Sequence, residues 1–268
     1  MKIRLDKYLA DAGFGTRNEV KALVKSGVIT INGTLCKDSS QKVDTDTDEI
    51  CVRGERTGYA EYEYYMLHKP AGLITASRDK KEKTVLDLIK SKKRRDLFPV
   101  GRLDRDTEGL LLITNDGELS HRLLAPGKHV DKCYAVIVTG EIPDDIEELF
   151  SEGIDIGDDK LTKPAKLRYY PELQDFLMIY NDPVFKDKYK EFTGSDDPSD
   201  KGKKFSVFDI TITEGRYHEI KRMFEAVGCK VIYLKRYSMG GLKLDLGLSP
   251  GDYRELSENE LKALLEKY

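Results

Sequence analysis

No stretch of this 268-residue sequence approaches the run of about 20 apolar residues that spans a bilayer. The most apolar segment, Leu110-Leu111-Leu112-Ile113, is closed at once by Thr114-Asn115-Asp116-Gly117. The opening Met1-Lys2-Ile3-Arg4-Leu5-Asp6 lacks the apolar core of a secretory signal, so a cytoplasmic protein without a membrane partner is expected. Cysteine is sparse. Cys36, Cys51, Cys133 and Cys229 are scattered, form no C-x-x-C pair and have no histidine close enough to complete a zinc site. Reduced thiols and no metal are therefore expected. No glycine-rich loop that would cradle a phosphate is found either, and no cofactor is expected. An overall basic charge is also lacking: the net formal charge is −3, which argues against a surface that attracts nucleic acid everywhere.

What is present is charge in clusters. The chain is 39% apolar and 35% charged, the composition of a soluble globular protein, and its length suits two domains better than one. Near the start, Lys2, Arg4, Lys7, Arg17, Lys21, Lys25 and Lys37 outnumber Asp6, Asp11 and Glu19. A second basic cluster runs through Arg78, Lys80, Lys81, Lys83, Lys90, Lys92, Lys93, Arg94 and Arg95. Either could be a solvated face or a contact for phosphates.

The first segment reads as two helices and a hairpin. Leu5, Leu9 and Ala12 lie at helical spacing, Gly13-Phe14-Gly15 breaks the pattern, and Thr16-Arg17-Asn18-Glu19 has the form of a capping box. Val20, Leu23 and Val24 make one face of the second helix, with Arg17, Lys21 and Lys25 on the neighbouring one. Ser26-Gly27 ends it, and Val28-Ile29-Thr30-Ile31 runs as a strand into an Asn32-Gly33 turn. This ordered set, R-L-D-K-Y-L, a helix beginning T-R, then G-V-I-T-I-N-G, resembles the S4 RNA-binding domain over residues 2–50. The resemblance implies RNA contacts from Arg4, Lys7, Arg17, Lys21 and Lys25, made with the phosphate backbone and carrying little sequence information.

Residues 53–58 are polar, with two glycines and no apolar period, and are expected to be a linker, so the domains are set at 1–58 and 59–268. Beyond it, strands are expected at 62–67, 110–114, 133–138, 165–170, 176–180 and 205–213. Helices are expected at 84–90, 118–124, 144–151 and 217–227, and after the Ser257-Glu258-Asn259-Glu260 capping box. The mixture is α+β with a mainly antiparallel sheet. Residues 181–204, almost all Asp, Lys, Gly, Ser and Pro, are expected to form a mobile insertion, with an accessory RNA contact as the alternative.

The chemistry is concentrated in Val100-Gly101-Arg102-Leu103-Asp104-Arg105-Asp106-Thr107-Glu108-Gly109, which feeds the apolar 110–114 strand. A loop loaded with charge on a rigid strand is a common place for catalytic groups, but composition alone cannot choose among Asp104, Asp106 and Glu108. The string G-R-L-D-x-D-T-x-G-L-L-L-I-T-N-D-G resembles the central motif of the pseudouridine synthases. Tyr65-Met66-Leu67-His68-Lys69-Pro70-Ala71-Gly72, Lys132-Cys133-Tyr134 and Glu214-Gly215-Arg216-Tyr217-His218-Glu219-Ile220-Lys221-Arg222-Met223-Phe224 resemble further elements of that family in the same order, and Leu234-Lys235-Arg236 through Leu256 resembles its ending. One departure is Glu219, where the family usually has Gln.

The resemblance implies that Asp104 is the catalytic nucleophile, that Tyr134 stacks on the target base, that Lys221 faces the carboxylate, and that Arg102 fills the space left by the flipped base. Whether the carboxylate attacks C1′ or takes a sugar proton stays open. A salt bridge from Arg102 to Asp106 or Glu108 is the alternative for that arginine. His68 and His218 are read as orienting backbone or RNA, and His121 and His129 as ordinary surface or helix residues. A glycosidase-like pair of Asp104 and Asp106 competes poorly, because residues two apart in a loop rarely flank one substrate. Leu161-Thr162-Lys163-Pro164-Ala165 and the R-Y-H-x-[VI]-K-R-M-F string resemble the small-subunit branch, implying one uridine of 16S rRNA as substrate, free or in a pre-ribosomal particle, and a monomeric enzyme. The same reaction on 23S rRNA and a non-catalytic ribosome assembly factor remain as alternatives.

Overall fold

The computed structural model describes residues 1–59, 61–90, 96–194 and 205–267. Part of the second basic cluster (91–95) and the end of the charged segment (195–204) lie outside the described residues. The chain packs into two units: Met1–Glu63 with Ile89–Phe98 and Thr114–Asp116, and Tyr64–Leu88 with Pro99–Ile113 and Gly117–Tyr268.

In the first unit, β1 (Lys2–Arg4) leads into α1 (Leu5–Asp11) and α2 (Arg17–Lys25), followed by β2 (Ile29–Ile31), β3 (Thr34–Leu35), β4 (Lys42–Asp44), β5 (Ile50–Val52) and β6 (Glu55–Arg56). Thr16 and Glu19 close the expected capping box at the start of α2, the Glu19 carboxylate accepting from Thr16 N at 2.7 Å and the Thr16 hydroxyl from Glu19 N at 3.3 Å. Leu5, Leu9, Val20, Val24 and Ile29 have no exposed surface and form the core with Ile50. The β2–β3 turn places Asn32 and Gly33 at φ 50° and 78°, the left-handed pair that a two-residue hairpin needs.

The linker expected at 53–58 is instead the second hairpin of this unit. Arg53 and Gly54 turn at φ 54° and 84° and β5 pairs with β6. Thr57 then hydrogen-bonds the Tyr8 hydroxyl at 3.0 Å, and Tyr59 stacks on the Tyr8 ring. A polar hairpin tip and a polar linker have the same composition, and only strand pairing separates them.

The second unit is built on a nine-stranded sheet: β7 (Tyr64–Lys69), β8 (Phe98–Pro99), β9 (Glu108–Thr114), β10 (Lys132–Thr139), β11 (Lys166–Tyr170), β12 (Phe205–Ile212), β13 (Lys230–Met239), β14 (Leu242–Lys243) and β15 (Tyr253–Glu255). The main order is β11-β12-β10-β13-β9-β7-β15, antiparallel apart from the parallel β9–β13 pair in every pairing whose register is resolved. Helices α3 (Gly117–Leu124), α4 (Ile146–Glu152), α5 (Leu173–Tyr180), α6 (Pro183–Thr193), α7 (Glu219–Ala226) and α8 (Glu258–Lys267) complete it. On α7, Ile220, Met223 and Phe224 are buried, with the Phe224 ring against Phe150 of α4 at 4.9 Å and Phe208 of β12 at 5.5 Å.

Strand β9 is buried at every position, as its apolar run requires. Its neighbour β13 was not expected, because Lys235 and Arg236 interrupt the apolar pattern, yet both are fully buried. The two strands cross tightly at Gly109: at its φ of 102°, a Cβ would sit 2.3 Å from the Arg236 carbonyl oxygen, so only glycine fits.

Two expectations about 173–193 are corrected. Residues 176–180, read as a strand, are helical within α5, and 183–193, read as mobile loop, form the eleven-residue α6. Asp182 caps α6 by accepting from Phe185 N at 3.2 Å, Pro183 occupies the first turn, and Gly194 follows at φ 70°. Phe185 and Tyr189, one turn apart, are buried, and Phe185 lies 4.3 Å from the Phe176 ring of α5. The lysines and acids between them occupy the outer face, and their number hid the helical period.

Candidate active site

The charged loop 101–107 is held from behind by the end of β7 and the segment that follows it. Lys69, with no exposed surface, donates to the carbonyls of Pro70, Asp104, Arg105 and Thr107 at 2.9–3.2 Å. Gly72 N donates to the Arg105 carbonyl at 2.7 Å, and Thr75 bonds the backbone of Leu103 at both its carbonyl and its N–H. The K-P-A-G element is therefore the mount of the loop. Burial lowers the Lys69 ammonium to about 8, against the opposing charges of Glu108, Asp106 and Asp104.

With its backbone fixed, the Asp104 carboxylate points into a cleft of about 540 Å³ whose walls include Arg102, Tyr134, Glu219, Lys221 and Arg236. Lys221 Nζ lies 3.1 Å from Asp104 Oδ2 and 2.5 Å from Asp106 Oδ1, and His218 Nε2 lies 3.6 Å from Asp104 Oδ1. Burial alone would lower the Lys221 ammonium, but its bonds to Asp106 and Asp104 outweigh that and hold it above the ordinary lysine value. Burial would likewise raise Asp106, and the Lys221 bond and charge reverse this. The Lys221 ammonium bridges the Asp104 and Asp106 carboxylates and so stands where a glycosidase-like pair would need its substrate.

Tyr134 comes from β10 and Arg236 from β13, at directly paired register positions beside an irregularity in the ladder at Cys133/Tyr134. The Arg236 guanidinium stands 6.0 Å over the Tyr134 ring and donates through Nε to the Leu110 carbonyl at 2.8 Å. Burial raises the Tyr134 phenol, keeping it neutral. Arg102 is exposed at the cleft wall and forms neither of the salt bridges considered for it: Asp106 is taken by Lys221, and Glu108 accepts from the Tyr233 hydroxyl at 2.8 Å.

The structure thus brings Asp104, Tyr134, Lys221 and Arg102 into one cleft. It adds residues to which sequence reasoning gave no such part. Lys69 is the loop anchor, Arg236 backs Tyr134, and His218 reaches the carboxylate. Behind the cleft, the buried Asp182 accepts from Lys235 at 2.6 Å and from the Tyr237 hydroxyl. Of the two readings for His68, backbone or RNA, the structure shows the first: the ring is buried, with Nδ1 2.7 Å from the Leu248 carbonyl. Nothing in the local sequence announced the Lys69 role, since three of its four carbonyl partners come from the distant segment 104–107.

In the first unit, Lys7, Arg17, Lys21 and Lys25 are exposed, the last three in a row at four-residue spacing on α2. Arg4 is tied to Asp6 by a bidentate pair at 2.8–3.0 Å, so its charge is already matched.

Known proteins resemble this chain over nearly its whole length. The model of a family described as RNA pseudouridylate synthase matches residues 63–226, and that of the S4 domain matches residues 3–50. An uncharacterized RNA pseudouridine synthase, YtzG, of Bacillus subtilis is 44% identical over 98% of this chain and 99% of its own length. A ribosomal large subunit pseudouridine synthase B of the same organism is 37% identical over 97% of this chain and 95% of its own. A ribosomal small subunit pseudouridine synthase A of Pasteurella multocida is 34% identical over 97% of this chain and 98% of its own. A crystal structure of a pseudouridylate synthase superposes with a TM-score of 0.60 at 32% identity, covering 98% of this chain and 99% of that one.

Proposed function

The chain belongs to the RNA pseudouridylate synthase family, and from that premise we propose that it converts one uridine of 16S rRNA to pseudouridine with Asp104 as the nucleophile. The reaction breaks the N1–C1′ bond, turns the uracil within the site and joins C5 to C1′. The proton lost from C5 balances the one gained at N1, so no electrons or groups enter or leave.

The observation that carries the reading is the Asp104 carboxylate, fixed through its own carbonyl by Lys69 and set 3.1 Å from Lys221 in the cleft that Tyr134 lines. A charged carboxylate there meets the electron-poor C1′ as the base departs, and Lys221 opposes the desolvation that a filled cleft imposes. Tyr134 supplies a neutral aromatic face for the detached uracil. The target has to leave its stack to enter, and Arg102, exposed on the cleft wall, takes the vacated space in this reading. Arg17, Lys21 and Lys25 bind phosphates of the same RNA. The partner is rRNA or a pre-ribosomal small-subunit particle, met in the cytoplasm by a monomer.

The small-subunit target rests on Lys163-Pro164-Ala165 and on the Arg216–Phe224 string. The large-subunit relative, at 37% identity, favours 23S rRNA as the second reading. Mapping pseudouridine in both rRNAs of cells with and without the protein decides between them: one site should vanish from 16S rRNA and none from 23S rRNA.

A further inference from the structure

Tyr217 and His218 are consecutive residues whose rings stack face to face, 3.9 Å apart and 16° from parallel. Neighbouring side chains of an extended or helical backbone diverge, so this arrangement needs a kink. His218 supplies it at φ 50°, ψ 32°, a left-handed conformation that costs a non-glycine residue about 1–2 kcal/mol. The kink is clamped on both sides. Arg216 donates to the carbonyls of Lys160 and Leu161, each at 2.7 Å, and Arg222 donates to the Tyr217 carbonyl at 3.2 Å.

The outcome of this strained, clamped turn is a tyrosine that is 69% exposed on the wall of the Asp104 cleft. One ring face lies on His218, whose Nε2 is 3.6 Å from Asp104, and the other is open to solvent. Packing does not account for the ring, since it is among the most exposed large side chains of the protein. A rigid aromatic face one ring removed from the reacting carboxylate, in an enzyme of RNA, has the chemistry of a base-stacking platform. Unpaired bases stack on such faces with little regard to sequence, for about 1–3 kcal/mol each.

We infer that the outer face of Tyr217 is a subsite for an unpaired RNA base flanking the target uridine. Tyr134 takes the uracil that reacts, and Tyr217 takes its neighbour, so a target in a loop or bulge is held at two consecutive bases. The inference rests on the Asp104 cleft being the reaction site. Should Asp104→Asn retain turnover, that reading fails by itself, whatever Tyr217 does.

The test uses the full chain and whichever in vitro transcribed rRNA, 16S or 23S, the wild type modifies. Tyr217→Leu, which keeps an apolar side chain and removes the ring, should raise KM for that transcript about 5- to 150-fold, the equivalent of one base stack removed. The change should fall in KM rather than kcat, and Tyr217→Phe should restore the low KM. A short single-stranded oligoribonucleotide of the modified site, with 2-aminopurine beside the target uridine, should be quenched on binding by wild type and Tyr217→Phe and not by Tyr217→Leu. An unchanged KM in Tyr217→Leu overturns the inference. So does a Phe variant as weak as the Leu variant, or a loss confined to kcat and matched by His218→Ala, which would make Tyr217 only a support for His218.

Discussion

The ammonium of Lys69 donates to the carbonyl of Asp104 at 3.0 Å, so the group proposed to react is positioned through its backbone by a cation with no exposed surface. Three further carbonyls of the same two loops share that cation. Replacing Lys69 with Met keeps most of the volume but removes the charged donor from all four carbonyls; Asp104 and Arg105 keep bonds from Thr107 N and Gly72 N, whereas Pro70 and Thr107 lose theirs. We expect a loss of about 3–5 kcal/mol in denaturant unfolding, together with loss of pseudouridine formation. A Lys69→Met protein of wild-type stability would show that the loop is held by other means.

Asp104→Asn removes the charge and keeps the shape. The variant should fold, bind the same RNA and form no detectable pseudouridine, because the phosphate contacts proposed for Arg17, Lys21 and Lys25 are untouched. Asp106→Asn should retain turnover, lowered about tenfold or less, since Lys221 keeps its 3.1 Å approach to Asp104 while losing one charged hydrogen bond. Turnover by the Asp104 variant with loss in the Asp106 variant would move the nucleophile by two residues.

Glu219 is buried at the start of α7, where it accepts from Arg216 N at 2.8 Å while its other oxygen has no protein partner among the described residues. Burial, then the nearby Glu214 charge, pushes its carboxyl up to about 7 against the pull of that Arg216 bond. The folded protein thus keeps a proton that the unfolded chain releases near 4.5. The associated stability is complete below that value, declines as pH rises, and is gone above pH 7. The span corresponds to roughly 3 kcal/mol. Glu219→Gln carries no titrating group, so unfolding measured from pH 4 to 8 should show a flatter dependence in the variant. Parallel curves for the two proteins would contradict the assignment.

Reversing Arg17, Lys21 and Lys25 to Glu should weaken RNA binding and reduce the slope of log affinity against log salt by about 0.7–0.9 for each phosphate that is no longer neutralised. The thermal unfolding of the catalytic unit should be unaffected. Filter-binding isotherms between low and physiological salt would reveal it, and an unchanged slope would mean that this row of charge does not meet RNA.

The sequence by itself determined much of this protein. Periodicity at Leu5, Leu9, Val20 and Val24, the Thr16–Glu19 capping box and the Asn32-Gly33 turn each act within a few residues, and each formed as local chemistry requires. The apolar 110–114 strand was legible for the same reason, and the long motif around Asp104 pointed to the family. Tertiary structure decided what local pattern could not carry. Strand β13 holds Lys235 and Arg236, whose burial is tolerable only because Asp182 and the Leu110 carbonyl meet them from distant segments. Helix α6 reads as charged loop until Phe185 and Tyr189 find the ring of Phe176 and its neighbours. The roles of Lys69, His218 and Arg236 likewise arise from groups brought together across the fold. A buried charge such as that of Lys69, Lys235 or Arg236 is stable only beside partners that chain order does not place next to it, which is why its part in the frame of the site could not be read from the local sequence.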